Sequence, residues 1–179
     1  MLTIELVPKS CFFSNLRNAV AKSEWDRIRH NAYAEAAHKC SVCGGRGQGA
    51  WPLEAHETWE YDDINRVQKL VDVVALCPAC HEVKHFGRTQ LIGREAEALA
   101  HLAIVNHWTV EQAQESVNLA FEVWERRSQE TWKQDLTWAT GKVTKWKDEA
   151  TKRAAINAGF QEIEKCKRDL KVAQELMED

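Results

Sequence analysis

Residues 40–43 read Cys-Ser-Val-Cys, and residues 76–85 read Leu-Cys-Pro-Ala-Cys-His-Glu-Val-Lys-His. Two thiolates separated by two residues grip one side of a tetrahedral ion. A second such pair closes the shell, so Cys40, Cys43, Cys77 and Cys80 have the spacing of a structural four-thiolate zinc site. His81 follows the second pair directly and His85 comes one helical turn later, on the same face of any helix starting at Pro78. These histidines, with the acid-flanked His56 between the cysteine pairs, offer ligands for a second, open site.

Working outward, Gly44-Gly45-Arg46-Gly47-Gln48-Gly49 suits the tight turn of a zinc knuckle. It lacks the Lys-Ser/Thr that a phosphate-cradling loop requires. Residues 51–76 contain two extended segments around a polar loop, the second ending in the β-branched run Leu70-Val-Asp-Val-Val-Ala-Leu76. Strand, loop, strand and helix around metal is the expected local architecture. Leu2, Ile4 and Leu6 alternate with other residues up to Pro8 and predict a strand. Ser23 is the expected cap of a helix carrying Trp25, Ile28, Ala32 and Ala36 on its apolar side. Beyond residue 90 the chain reads as all helix. Leu99, Leu102 and Val105 lead to a break at residues 106–108, and Thr109 with Gln112 forms a capping box before a stripe of Val110, Val117, Phe121 and Trp124. Ile156, Ile163, Leu170 and Met177 recur every seven residues, a seam for a homodimer or protein partner through residues 142–179, or for the chain's own core. Trp124, Trp132, Trp138 and Trp146 are expected in packing rather than base stacking.

The expected fold class is therefore α+β: a small zinc-braced finger (40–90) after an N-terminal strand and helix (1–39), then a mainly α-helical C-terminal half made of a helical region (91–139) and a helical extension (140–179). At 44% hydrophobic and 28% charged, the chain is neither disordered nor membrane-like, and no apolar run reaches spanning length. The N-terminus lacks a signal peptide's basic and apolar regions. Four of the six cysteines fall in tight C-x2-C pairs, which without secretory context indicates metal and a reducing, cytoplasmic setting. Cys11 and Cys166 read as ordinary buried thiols. Net charge is −3, with 11 basic and 11 acidic residues in 1–90, so any phosphate-binding face must be local. Arg17, Lys22, Arg27, Arg29, Lys84, Arg88 and Arg94 are its candidates. His30, His38, His101 and His107 show no ligand spacing.

The pattern C-x2-C, then L-E-x-H, then L-C-P-x-C-H-x3-H resembles the zinc-ribboned branch of the HNH endonucleases, in the His-Me finger (ββα-metal) class. The resemblance is specific over residues 38–88, and a looser likeness to a bacterial and phage HNH-type group extends to about residue 138. It implies a DNA-cleaving hydrolase in which His56, His81 and His85 hold a divalent cation (Mg2+ or Mn2+, or a second Zn2+ or Ni2+), while the cysteine zinc only braces the finger. Where the family has a catalytic histidine this chain has Glu57, and the Asn that orients that base aligns with Asp72. This departure keeps a second class open: an altered zinc module that binds nucleic acid or a protein partner, such as a phage or mobile-element factor acting on a host system. A third reading takes His81-Glu82-x-x-His85 as a zinc-peptidase motif, with Glu95 or Glu97 as a further ligand. That motif needs a long helix, which Cys80 and Gly87 preclude.

Overall fold

The computed structural model describes residues 1–46 and 53–153. It is a mixed α+β fold built around a three-stranded sheet of order β1-β2-β3. Before the sheet come the short α1 (Leu16–Ala19) and α2 (Lys22–Glu35). Strands β1 (Glu54–Asp62) and β2 (Val67–Leu76) pair antiparallel as a hairpin, with His56 opposite Val74 and Thr58 opposite Asp72. The next pair is Trp59 with Leu70, so Val71 is an extra residue and the hairpin carries a β-bulge. Helix α3 (Pro78–Lys84) follows β2 at once, with proline in its first turn, where a missing N–H costs nothing. Helices α4 (Phe86–Leu91), α5 (Glu95–Asn106) and α6 (Val110–Ser128) complete the middle of the chain. The capping box at Thr109 and Gln112 is present, and His107 ends α5 in the left-handed conformation.

Two apolar clusters hold this arrangement. One joins Leu2, Leu76, Val83, Phe86, Leu102 and Val117, tying the N-terminus, β2 and helices α3 to α6 together. The other joins Leu16, Trp25, Ile28, Leu70, Val73, Leu136 and Val143, setting α1, α2 and the later chain against the hairpin. Trp132 is buried, while Trp138 and Trp146 pack on the second cluster. Trp124 donates its indole N–H to the Val7 carbonyl at 3.0 Å. On α6, Ala113 and Val117 are the buried residues and Val110 is exposed. None of the described helices is long and apolar enough to cross a membrane.

Three expectations need correction. Residues 2–7 form no strand. Their backbone is satisfied by a side chain and a helix end instead of a strand edge. The Asn106 carboxamide accepts from Leu2 N at 2.7 Å and donates to Leu2 O at 2.8 Å, and Glu5 N donates to the Lys84 carbonyl at 3.0 Å. Helix α2 starts one residue before Ser23, with Ala21 as an N-cap that makes no side-chain bond. Its start is set by tertiary pairing, Ala21 N to Lys145 O, next to the bridge between Val20 and Trp146. The chain beyond residue 90 is not all helix: β3 (Lys133–Asp135) adds to β2 in parallel. Three polar residues carry no legible period, and only the neighbouring β2 edge makes them a strand. Residues 140–147 pack on α2. The heptad seam from Ile156 onward, and Cys166, lie outside the described residues.

Because Asn106 closes both backbone groups of a fully buried Leu2, Asn106→Ala leaves a donor and an acceptor orphaned. The expected cost is about 2 kcal/mol in chemical denaturation, with the N-terminal segment released first.

Candidate metal centres

Both cysteine pairs converge on one point. The sulfurs of Cys40, Cys43, Cys77 and Cys80 lie within 4.8 Å of one another, and Cys43 Sγ is 3.6 Å from Cys77 Sγ. Tetrahedral ligands at the usual Zn–S length of about 2.3 Å stand about 3.8 Å apart, so the cluster has the dimensions of a zinc site. Local backbone explains how. After α2, Ala37 and His38 both take positive φ and turn the chain into Cys40. Gly44, at φ +73°, reverses it again so that Gly44 N reaches the Cys40 carbonyl. The Cys40 sulfur receives the backbone N–H groups of Cys43, Cys77 and Val42, while the Cys77 sulfur receives that of Cys80. Ser41 N bonds the Ala75 carbonyl at 2.8 Å and docks the knuckle on the end of β2.

The charge balance of the sulfurs is what a dication would resolve. The hydrogen bond from Cys80 and the surrounding N–H groups lower Cys40 to about 4. Burial pushes Cys77 up to about 11, and Cys80 is raised by its bond to Cys40 and by burial. A zinc ion would offset the burial that opposes ionisation of Cys77 and Cys80 by ligating all four sulfurs as thiolates.

The second cluster begins with the residue that follows Cys80. His56 from β1 and His81 and His85 from α3 offer ligand atoms within 4.8 Å of one another. Ring centroids are 5.4 Å apart for His56 and His81, 5.0 Å for His56 and His85, and 4.5 Å for His81 and His85. His81 Nε2 and His85 Nε2 are separated by 3.1 Å. Two nitrogens bound to one ion at about 2.0–2.1 Å would be about 3.0–3.4 Å apart, so this spacing suits a shared cation. Burial pushes His85 down to about 3, with His81 and His56 adding to the effect, and burial lowers His81 too. Neutral imidazoles are the ligating form.

Two carboxylates stand behind the imidazoles. Glu5 Oε2 accepts from His56 Nε2 at 2.9 Å, and Glu54 Oε2 lies 2.5 Å from His81 Nδ1. Each fixes a tautomer, leaving Nδ1 of His56 and Nε2 of His81 unprotonated. Burial alone would raise Glu5. The His56 hydrogen bond and the buried Lys84 ammonium, 2.5 Å from Glu5 Oε1, outweigh it and keep the carboxyl below its ordinary value. Lys84 also donates to Thr3 Oγ1 at 2.9 Å. The N-terminal segment is thus part of this centre.

Glu57 and Asp72 are not brought to the histidines. Glu57 is next to His56 on a strand, so its side chain leaves from the opposite face. Its carboxylate accepts Leu16 N at 3.2 Å and Arg17 N at 3.1 Å, capping α1 with Asn15. Asp72 is exposed and accepts the N–H of Val73 at 2.8 Å. Glu82 is held by Arg94 at 2.5 Å, and the third candidate ligand beside His81 and His85 is His56 of β1, not Glu95 or Glu97. Of the candidate phosphate-binding cations, Lys22, Arg27, Arg29, Lys84 and Arg94 are paired with carboxylates. Arg88 is exposed, and its charge is felt at both His81 and His85.

Sequence reasoning missed Glu5, Glu54 and His101. Glu54 was findable, since two-residue alternation puts it on the His56 face of β1. Glu5 and His101 reach their partners across 51 and 21 residues, and no spacing rule announces them.

Burial raises Glu57 from an ordinary 4.5 to about 7, against the opposing effect of the two N–H groups. A carboxyl with a raised folded pKa gives stability that is complete below about pH 4.5 and lost as the pH rises through about 7. Stability of the wild type relative to Glu57→Gln is therefore expected to fall by about 3 kcal/mol between pH 4.5 and 8, read from paired denaturation curves. A pH-independent difference contradicts this.

No family model matches the chain, and neither a curated protein nor a solved structure is detectably similar to it.

Proposed function

We propose that the chain is a metal-dependent nuclease of the His-Me finger type, hydrolysing DNA phosphodiester bonds at the His56, His81 and His85 cluster and braced by zinc at the four cysteines. The observation that carries this reading is the three-imidazole cluster itself, with Glu5 and Glu54 behind two of its members. Three converging histidines, two of them with carboxylate partners, are costly to assemble without a cation to hold, because burial disfavours the charged forms of His81 and His85 and the rings crowd one another. Three protein ligands also leave positions for substrate and water, the usual difference between a catalytic and a structural site. The succession of β1, β2 and α3, with the histidines between hairpin and helix, agrees with a ββα-metal finger.

His81 and His85 would hold the cation as neutral ligands, and His56 would complete the set with its orientation fixed by Glu5. Lys84 balances the Glu5 charge, so the carboxylate does not make the centre electronegative toward an incoming phosphate. Arg88, exposed and with its charge felt at His81 and His85, is a cation available to that phosphate, whereas Arg17 is exposed at α1 beside Glu57. Glu57 is assigned no base role, because its carboxylate is committed to α1. A divalent cation would supply Lewis acidity here, polarising a phosphate oxygen and acidifying a water molecule enough to make a side-chain base dispensable. An all-imidazole set favours Mn2+, Ni2+, Co2+ or Zn2+ over Mg2+.

Conversion of supercoiled plasmid to nicked or linear forms, assayed with each of these ions, tests the reading. The withdrawal of Glu57 and the neutralisation of most candidate cations favour one competitor, an altered finger that binds nucleic acid or protein without cutting. A folded, zinc-loaded chain that takes up the second ion and leaves plasmid intact with every metal supports that competitor and overturns the nuclease.

A further inference from the structure

The four-cysteine cluster has a fifth member. His101, in the middle of α5, brings its Nε2 to 3.2 Å from Cys80 Sγ. Cys80 is fully buried at the core of the finger, whereas Cys43 is exposed at the knuckle. The other sulfurs are supported unequally too. Cys40 receives three backbone N–H groups and Cys77 receives one. A zinc ion with four thiolates carries two excess negative charges, and each N–H donated to a sulfur withdraws part of that charge. Once Cys80 is ionised its sulfur can only accept, so His101 must carry its proton on Nε2.

We propose that His101 is a positioning residue of the cysteine cluster: by donating Nε2–H to Cys80 it locks the α3 side of the site, leaving Cys43 as the sulfur that yields first to electrophiles. The proposal rests on reading the four cysteines as a zinc site. Its consequence is directional. Attack by a haloacetamide at Cys43 forms an S–C bond, breaks the C–I bond and expels iodide. The resulting thioether is a poor zinc ligand, so the ion leaves from the knuckle side. Cys77, Cys80 and the following His81 and His85 stay on their helix as this begins. His101 also links the finger to α5, so the helical half of the chain bears directly on how tightly the finger keeps its metal.

The experiment uses the full chain. Metal content is measured first, and the zinc-loaded protein is treated with substoichiometric iodoacetamide and mapped by mass spectrometry. Zinc release to a chromogenic chelator is then timed for the wild type, His101→Ala and His101→Gln. Cys43 is expected to be alkylated before the other three. His101→Ala is expected to release zinc about tenfold faster. His101→Gln, which keeps an N–H donor of similar reach, is expected to stay near wild type. In cobalt-loaded protein the sulfur-to-metal charge-transfer band should move to longer wavelength in the alanine variant and not in the glutamine one, because the lost hydrogen bond no longer stabilises the sulfur electrons. A merely structural histidine would not produce that split. Earlier alkylation of Cys40, Cys77 or Cys80, equal release from wild type and His101→Ala, or equal damage from both substitutions overturns the proposal. A purified chain without zinc overturns the zinc reading itself, and this proposal with it, at the metal-content step alone.

Discussion

Cys77→Ala is expected to lose zinc and unfold the finger from the knuckle through α3. Cys77 is buried, its sulfur is 3.6 Å from that of Cys43, and it is the N-cap residue from which α3 begins. Removing it leaves three thiolates, opens the shell to water, and deletes the acceptor of the Cys80 N–H. Structural zinc contributes about 10–16 kcal/mol to folding in small zinc domains, comparable with the whole stability of a typical protein of this kind. The loss should spread, because α3 also carries His81 and His85 and supplies Val83 to the first apolar cluster. Zinc stoichiometry, far-ultraviolet circular dichroism and thermal denaturation read the result together. Cys11→Ala is the control: Cys11 is equally buried but lies against the Trp132 carbonyl, far from the cluster, and should keep its zinc. A soluble Cys77→Ala protein with unchanged secondary structure and melting temperature contradicts the four-thiolate site.

The contrast between what was legible in the sequence and what was not follows the range of the interactions. Cysteine spacing, the β-branched run before Cys77, Pro78 and the Thr109–Gln112 box each act within a few residues, so the knuckle, hairpin, α3 and the start of α6 could all be read directly. The segment 2–7 has the alternation of a strand, yet its partners are the Asn106 side chain and the end of α3, which no local pattern specifies. β3 is the reverse case, a strand without a strand's composition, made by the edge of β2. Glu57 is the most instructive. Alignment to a family motif put it where that family has its catalytic base, but strand geometry alone puts residues 56 and 57 on opposite faces, and the buried carboxylate found N–H donors at α1. The part of the site that sequence could not supply, Glu5 set between His56 and Lys84, comes from the N-terminal segment and depends on the correct folding of everything that holds it.

His85→Ala separates the two metal centres. His85 is the C-cap of α3 and partly buried, and its ring nitrogen meets only His81 among its polar partners in the described residues. Its loss should therefore leave the fold and the bound zinc intact while removing one of three ligands from the second ion. If Lewis-acid stabilisation at that ion lowers the hydrolytic barrier by about 4 kcal/mol, the variant cuts plasmid about a thousandfold more slowly at saturating DNA. Calorimetric titration with Mn2+ or Ni2+ should show the second binding event lost and the zinc content unchanged. Added metal should rescue cleavage only partly, because His56 and His81 hold an ion without the third fixed ligand that orients it. Weak metal binding with undiminished cleavage would place the chemistry elsewhere on the molecule. Intact metal binding with cleavage absent from both wild type and variant would leave a two-metal finger whose second ion serves recognition. Since Glu57 is engaged at α1 in either case, its replacement by glutamine should change pH-dependent stability and spare the cleavage rate, the reverse of what a catalytic base would show.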